Sequence, residues 1–263
     1  MEHHGAYAFL IYYVIWIIWK GSFIIGGEYR YVVLLSIIFG IFPDFDGAYY
    51  FIKNKLMKKF NKEVQHHFYS WTHWPLSYLP IVILFIISLV IGFYPEFFLS
   101  PVVSIYFGHF IFDSISSGDG IMWGKIPWKK RQYARYINLW SDGTDGYHDG
   151  YWAARYRKTF IAKIGNVALI ISIIIIAYFI VTEIPEISWY YVVPIVFFVI
   201  ALFIGIKKPP KRFFKEPPEG RYCDYRVKPE YINGLSTKNK KRHIAKYRSL
   251  LEEKGVMEKI KLK

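Results

Sequence analysis

From Ile164 to Thr182 the chain reads IGNVALIISIIIIAYFIVT, and from Trp189 to Ile206 it reads WYYVVPIVFFVIALFIGI. Neither run contains a charged residue, and each has roughly the 20 residues that an α-helix needs to cross the hydrocarbon core of a bilayer. The short segment from Glu183 to Ser188 leaves room only for a tight turn. The two runs therefore predict a helical hairpin in a membrane.

Four further apolar segments lie upstream, at Ala6–Trp19, Tyr31–Phe42, Leu76–Tyr94 and Pro101–Ser117. The second of these is short for a full span, so the first pair is expected to be tilted, partly re-entrant or covered by protein. The sequence predicts an all-α fold: a polytopic helical bundle of about six transmembrane segments over residues 1–206. A basic cytoplasmic tail is predicted over residues 207–263.

Composition agrees with a membrane protein. Of the 263 residues, 54% are hydrophobic and 21% aromatic, which excludes intrinsic disorder for most of the chain. Cys223 is the single cysteine. That count excludes an internal disulfide framework and a cysteine-rich zinc site, so a metal would have to be held by His, Asp or Glu.

The formal net charge of +14 is distributed unevenly. Lys and Arg accumulate at 47–72, at 118–163 and in the tail, whereas the turns at 94–100 and 183–188 contain only Glu among charged residues. Because Lys and Arg are retained in cytoplasmic loops, this pattern predicts a multi-pass cell-membrane protein with both termini cytoplasmic. The tail has no nucleic-acid-binding motif, so its expected partners are membrane lipids rather than nucleic acid.

Ionisable residues lie beside the apolar segments, where they are costly and commonly functional. Asp44 and Asp46 follow Pro43 at the end of the second segment, and His73 precedes the third. His109 and Asp113 are one helical turn apart in the fourth segment, so they share a face. The predicted topology places all of them, together with His3 and His4 at the N-terminus, at the same membrane face.

Each of these elements also has a structural explanation: an Asp-capped turn, an interfacial histidine anchor or a buried His–Asp hydrogen bond. Their coincidence at one face favours a shared metal site. Carboxylates and imidazoles without a thiolate suit a divalent metal, with zinc the first choice and manganese or iron as alternatives, as one or two ions. The expected ligands are Asp44, Asp46, His73, His109 and Asp113, with His4 as a possible sixth.

The same residues resemble a family, the predicted membrane-bound metal-dependent hydrolases of bacteria and archaea. The resemblance covers residues 1–128 and comprises His4, Pro43-Asp44-Phe45-Asp46, Thr72-His73, the Gly108-His109 to Asp113 helix and Gly118 to Trp128. Trp74 stands where the family usually has Ser, and the Arg that usually precedes the Thr-His element is absent. The family is distantly similar to zinc-dependent phospholipase C-type enzymes, so the resemblance implies a metal-dependent hydrolase.

The resulting hypothesis is that metal-activated water attacks an ester or phosphoester of an amphiphilic, lipid-like substrate, with no catalytic side chain beyond the metal-bound water. The anionic head of that substrate is expected to contact the cations Lys125, Lys129, Lys130 and Arg131.

A non-enzymatic transporter or assembly protein is the alternative, with the His/Asp cluster structural or conducting protons. That alternative expects ionisable residues through the membrane depth, and Leu76–Tyr94 contains none. Neither the substrate nor the oligomeric state follows from the sequence.

Overall fold

The computed structural model describes residues 3–47, 49, 52, 70–116, 121–129, 136–137, 156–182, 188–209, 211, 227, 229–235 and 237–261. Most of these residues are helical, and the prediction of an all-α fold is confirmed. The helices are α1 (His4–Lys20), α2 (Tyr31–Ile41), α3 (Leu79–Ile91), α4 (Pro95–Ile105), α5 (Ile111–Ser116), α6 (Phe160–Thr182), α7 (Trp189–Ile206), α8 (Pro229–Gly234) and α9 (Thr237–Glu253). One short antiparallel pairing joins β1 (Ile121–Met122) to β2 (Tyr136–Ile137).

Three helices of the described chain are long and apolar enough to cross a membrane: Pro95–Ile115, which includes α4 and most of α5, and then α6 and α7. They are fewer than the six spans predicted. Of the other three segments, α1 has 17 residues, α2 has 11, and the apolar helix Pro75–Ile91 also falls short of a full span by length.

The helix ends follow from local sequence. Gly21 adopts a left-handed conformation with φ 64°, and its N–H donates to the carbonyl of Ile17 at 2.9 Å, which ends α1. Gly92 ends α3 in the same way with φ 68°. Helix α4 then begins at Pro95, whose fixed φ suits a first helical position, so the predicted turn over 94–100 is shorter than expected.

Helix α1 is the central helix of the bundle. Helices α2, α4 and α6 contact it, and its buried side chains include Phe9, Tyr12 and Trp16. Small residues allow the closest approaches: a Cβ atom on Gly40 or on Gly108 would lie only 2.4 Å from an atom of Ala8. Because of these approaches, the end of α2 and the middle of the Pro95–Ile115 helix lie against the start of α1.

The outward faces of α3, α6 and α7 are apolar. Val90, Val181 and Phe203 are 81%, 67% and 69% exposed, and many neighbours on these helices are also exposed. A water-soluble monomer rarely exposes so large an apolar surface. Together with the three long apolar helices, this surface indicates association with a membrane.

The tail contains more regular structure than its Pro- and Lys-rich start indicates. Helices α8 and α9 share a small core with the 3-10 turn Met257–Lys259, formed by Ile232, Ile244, Leu251, Val256 and Ile260. The basic helix α9 is thus packed within this unit rather than solvated on all sides.

Candidate metal centre

Five buried side chains of the predicted ligand set lie together at one end of the bundle. His4 is the first residue of α1, and Asp44 ends the 3-10 turn Phe42–Asp44 that follows α2. His73 ends the 3-10 turn Trp71–His73. His109 and Asp113 come from the Pro95–Ile115 helix. Their relative exposures range from 0% for His73 and His109 to 8% for His4.

A π turn at Tyr106–Phe110 delivers His109 to this position. A π turn adds a residue to a helical turn, and such turns occur frequently at functional sites. Gly108 in this turn lies directly on the backbone of Ala8, so the backbones of the π turn and α1 are in contact. The sequence prediction treated the segment as a regular helix and did not include this turn.

Asp113 contacts both His4 of α1 and His109 of the π turn. Its Oδ1 atom lies 3.1 Å from Nε2 of His4, and its Oδ2 atom lies 3.0 Å from Nε2 of His109. The Nε2 atoms of His73 and His109 are 3.4 Å apart. Asp44 Oδ1 lies 3.6 Å from Nε2 of His73 and 4.0 Å from Nε2 of His109.

The other ring nitrogens are held on the outside of the cluster. His109 Nδ1 donates to the carbonyl of Gly40 at 2.8 Å, and His4 Nδ1 donates to the carbonyl of Gly108 at 3.4 Å. A carbonyl oxygen can only accept, so the Nδ1 atoms of both rings carry protons. The Nε2 atoms of both rings consequently face the interior of the cluster.

Asp46 occupies a different position from Asp44. Its Oδ2 atom lies 3.1 Å from Nδ1 of His73 and accepts a hydrogen bond from Thr72 Oγ1 at 2.8 Å. A carboxylate behind a histidine fixes the tautomer and orientation of a metal-ligating ring. The position of Asp46 therefore suits orienting His73 better than direct ligation.

The electrostatics of His73 reflect both carboxylates. Burial alone would lower the pKa of this imidazole, but hydrogen bonds and charge from Asp44 and Asp46 outweigh burial and raise the pKa to about 9. The cluster therefore stabilises positive charge at this point.

The cluster fits a metal ion by donor type and by spacing. Two groups have ligand atoms that all lie within 4.8 Å of one another: His4, Asp44 and His109, and His73, His109 and Asp113. Four ligands at 2.0–2.1 Å from a tetrahedral ion lie about 3.3 Å apart, close to the 3.4 Å between the two Nε2 atoms of His73 and His109. These buried His and Asp groups can hold a metal ion.

The predicted cationic contacts are only partly described. Lys125 is 7% exposed, its ammonium donates to the carbonyl of Lys129, and it lies 4.9 Å from the centre of the Trp74 ring. Lys129 is exposed. Lys130 and Arg131 lie outside the described residues. Lys125 therefore lies against Trp74, the residue that follows His73.

His3 anchors the N-terminal ligand, a role that sequence reasoning missed. Its Nδ1 atom lies 3.0 Å from the hydroxyl of Tyr156, and its Nε2 atom lies 3.1 Å from Oδ1 of Asn166. A Cβ on Gly165 would lie 2.3 Å from the His3 ring, so this glycine provides the space for it. The available signals were a histidine beside His4 and a glycine and an asparagine inside an apolar run.

Comparison with known proteins adds no assignment: no protein-family model, curated protein or solved structure matches this chain.

Proposed function

We propose that this chain is an integral membrane metal-dependent hydrolase, and that His4, Asp44, His73, His109 and Asp113 hold its metal ion. One observation carries the proposal. Imidazole Nε2 atoms from three separate elements face the carboxylates of Asp44 and Asp113, while a carbonyl or a carboxylate contacts each Nδ1 atom. Positive charge stabilises imidazole and carboxylate groups that lie this close together. Donor atoms of both kinds from several elements within 4.8 Å of one another suit a metal ion better than separate His–Asp pairs.

We infer a single ion. His109 belongs to both groups of potential ligands, and its Nδ1 atom is used by Gly40, so only its Nε2 atom is available for ligation. Three imidazoles with two carboxylates and no thiolate suit zinc, and also manganese or iron. Asp46 orients His73 through Nδ1, and Thr72 holds Asp46.

A divalent ion at these ligands supplies Lewis acidity and lowers the pKa of water, which is the chemistry that ester and phosphoester hydrolysis requires. The protein contributes the remaining features. Burial of the proposed ligands reduces competition from bulk water for the metal ion. The contacts of the three Nδ1 atoms hold the imidazole rings in a fixed orientation. Lys125, which lies over the ring of Trp74, the residue after His73, supplies a cation for an anionic head group.

The substrate class follows from location. We propose six membrane-associated segments with both termini cytoplasmic, which places the metal site near the headgroup level of one leaflet. An amphiphilic phosphoester, such as a phospholipid or a lipid-linked phosphate, presents its reacting group at that depth. The resemblance to the predicted membrane-bound metal-dependent hydrolases supports a metal-dependent hydrolase and implies no particular substrate.

The first test is metal content by inductively coupled plasma mass spectrometry on detergent-purified protein. We expect one Zn, Mn or Fe per chain in wild type and loss of that metal in Asp44→Ala, His73→Ala and His109→Ala. His243→Ala is the matched control, because His243 is an equally buried histidine in α9. Loaded protein should hydrolyse phosphoester lipids in mixed micelles, and the three ligand variants should not.

Two outcomes would contradict the proposal. A wild type that stays metal-free after reconstitution would mean that protons alone neutralise the cluster, and the structural or proton-conducting alternative would then be preferred. A metal-loaded protein that hydrolyses no ester or phosphoester lipid would retain the site and remove the enzymatic assignment.

A further inference from the structure

Helix α9 carries a basic face that the metal site does not use. Lys238, Lys241, Arg242 and Lys246 are all exposed within its first ten residues. At 100° per residue they lie on one side of the helix, with exposed Ala245 between them. No acidic residue occurs in α9 before Glu252. These four cations are called the basic face below.

The apolar side of α9 is already occupied. Ile244 and Leu251 belong to the core shared with α8 and the Met257–Lys259 turn, and His243 is fully buried beside Tyr247. Lys240 is also buried and donates to the carbonyl of Lys261 at 2.6 Å. An amphipathic helix that inserts into a bilayer needs a free apolar side. Any partner of the basic face must therefore be bound by charge, at a surface.

Stability of the helix does not explain where the charges lie. Cations are favourable near the C-terminus of a helix and unfavourable near its N-terminus, because of the helix dipole. Here Lys238 lies in the first turn and the other three cations follow within the next eight residues, whereas Glu252 and Glu253 occupy the C-terminal end. Arg248 and Lys254 lie within 3.9 and 3.1 Å of Glu252 and Glu253, respectively, so the described carboxylates of α9 interact with cations outside the basic face.

The short connection between α7 and α8 keeps the helical unit of the tail near the membrane, which favours a membrane surface as the partner of the basic face. Only residues 207–228 separate the end of α7 from the start of α8, so α8 cannot lie farther than about 80 Å from the point where α7 ends. Confinement within that radius gives an effective concentration on the order of 1 mM at the membrane surface. Exposed lysine and arginine near an anionic leaflet are attracted to it, each by on the order of fivefold in affinity.

We propose that α8, α9 and the Met257–Lys259 turn form a peripheral module that docks its basic face on anionic phospholipid headgroups beside α7. The docking is electrostatic and places no side chain in the hydrocarbon region. This inference does not rest on the proposed hydrolase activity, because no metal ligand belongs to the module.

The test uses the full chain in lipid nanodiscs. A donor dye is attached after Ser249→Cys in a Cys223→Ser background, and the acceptor is a headgroup-labelled lipid. Energy transfer should be high in discs containing 30% phosphatidylglycerol and low in phosphatidylcholine discs. It should fall to the phosphatidylcholine value in 1 M salt, where the screening length is about 3 Å.

The decisive variant is Lys238→Glu/Lys241→Glu/Arg242→Glu. We expect its equilibrium constant for docking to fall on the order of a hundredfold or more. It should remain folded, because acidic residues near a helix N-terminus are favourable. The matched control, Lys254→Glu/Lys259→Glu/Lys261→Glu, makes the same change in net charge at exposed positions outside the basic face and should retain most of the docking.

Three outcomes would overturn the proposal. Equal energy transfer in neutral and anionic discs would exclude headgroup recognition. Equal losses in the two triple variants would show attraction by overall charge rather than by the basic face. An RNA oligonucleotide that displaces the module from anionic discs, with binding lost only in the basic-face variant, would identify nucleic acid as the partner instead.

Discussion

The two ends of the bundle treat buried charge in opposite ways. At one end, the ammonium of Lys20 contacts a carboxylate oxygen of Glu96, which is 5% exposed. The rings of Trp16, Trp19 and Tyr29 lie 5.9, 5.2 and 5.1 Å from that ammonium. At the other end, three histidines and two aspartates converge, and their described contacts are largely with one another.

The difference separates two reasons for ionisable residues in apolar helices. The Lys20–Glu96 contact contains one cation and one anion, and aromatic faces complete the surroundings of the cation. The histidine end collects imidazole and carboxylate groups that can hold an added cation. An ionisable residue near a membrane span therefore indicates a ligand site more strongly when its neighbours are further imidazoles and carboxylates than when its neighbour is a single group of opposite charge.

The largest expected effect is on stability at the Lys20 end. Lys20→Met keeps most of the apolar stem and leaves Glu96 buried without this cation. Because Lys20 itself is partly exposed, the cost should be about 2–3 kcal/mol of unfolding free energy, less than for a fully buried pair. The double variant Lys20→Met/Glu96→Leu should recover most of the loss in a thermal melt. Metal content measured below the melting temperature should stay at the wild-type value, and a loss of metal comparable with that of His109→Ala would remove the contrast between the two ends.

A substitution at the helix crossing should affect both stability and metal binding. In Gly108→Ala the new methyl group would lie 2.4 Å from the Cα atom and 2.8 Å from the backbone nitrogen of Ala8, so no side-chain movement relieves the clash. We expect a loss of about 1–3 kcal/mol and weaker metal binding, because α1 carries His4 and the π turn carries His109. A chelator competition titration measures the second effect.

The control for this substitution is Gly234→Ala at the end of α8, where a Cβ would meet nothing within 4 Å. That variant should behave as wild type in both measurements. Unchanged metal affinity in a folded Gly108→Ala protein would show that the close approach of α1 and the π turn is not needed for the site.

Substitutions of the two aspartates in the Pro-Asp-Phe-Asp element should lower metal affinity to different extents. Asp46→Asn should lower metal affinity about 10–100-fold, the usual effect of losing a carboxylate that orients a ligating histidine. Asp44→Ala should abolish binding, because it removes a ligand. Thr72→Val, which removes one hydrogen bond to Asp46, should have a smaller effect than Asp46→Asn. Equal losses for Asp44→Ala and Asp46→Asn would instead identify Asp46 as a ligand.

The last expected effect is a pH dependence of the metal-free protein. The pKa of His73 is raised from 6.5 to about 9 in the fold, so its protonated form stabilises the fold fully below pH 6.5. That stabilisation is lost as the pH rises to about 9. We expect the melting temperature of metal-free protein to fall by several degrees over this range and the metal-loaded protein to show the opposite tendency, since metal ligation requires a neutral imidazole.

His73→Gln provides the comparison for this pH series, because glutamine does not titrate. Its metal-free melting temperature should change less between pH 6.5 and 9 than that of wild type. A parallel decrease in the two proteins would assign the pH dependence to other groups.

The helices of the fold were largely predictable from the sequence, since an uncharged run such as Trp189–Ile206 has few alternatives in length or periodicity. Their boundaries were less so. The helix that begins at Pro95 was predicted from Pro101, with a hairpin turn assigned to residues 94–100, where Glu96 is the only charged residue. That carboxylate is buried against Lys20, a contact between residues far apart in the sequence that local patterns do not reveal.

The candidate site was predictable as a set of residues and less so by role. Spacing alone placed His109 and Asp113 on one face, and topology brought Asp44 and His73 to the same end. Sequence could not separate Asp44 from Asp46, because the separation depends on which nitrogen of His73 each carboxylate faces. It also could not reveal the carbonyls of Gly40 and Gly108, since every residue has a carbonyl and only the fold selects these two.

The π turn also restricts how the chain can change in length. It contains one residue more than a regular helical turn, so a one-residue deletion between Tyr106 and Gly108 would leave a regular turn and remove only the local displacement that the extra residue provides. In the regular helical part between Pro95 and Ile105, a one-residue deletion would instead rotate His109 and Asp113 by about 100° relative to the start of the helix. Surface loops can gain or lose residues at little cost, whereas a change of length in that regular part would turn His109 and Asp113 away from the other proposed ligands.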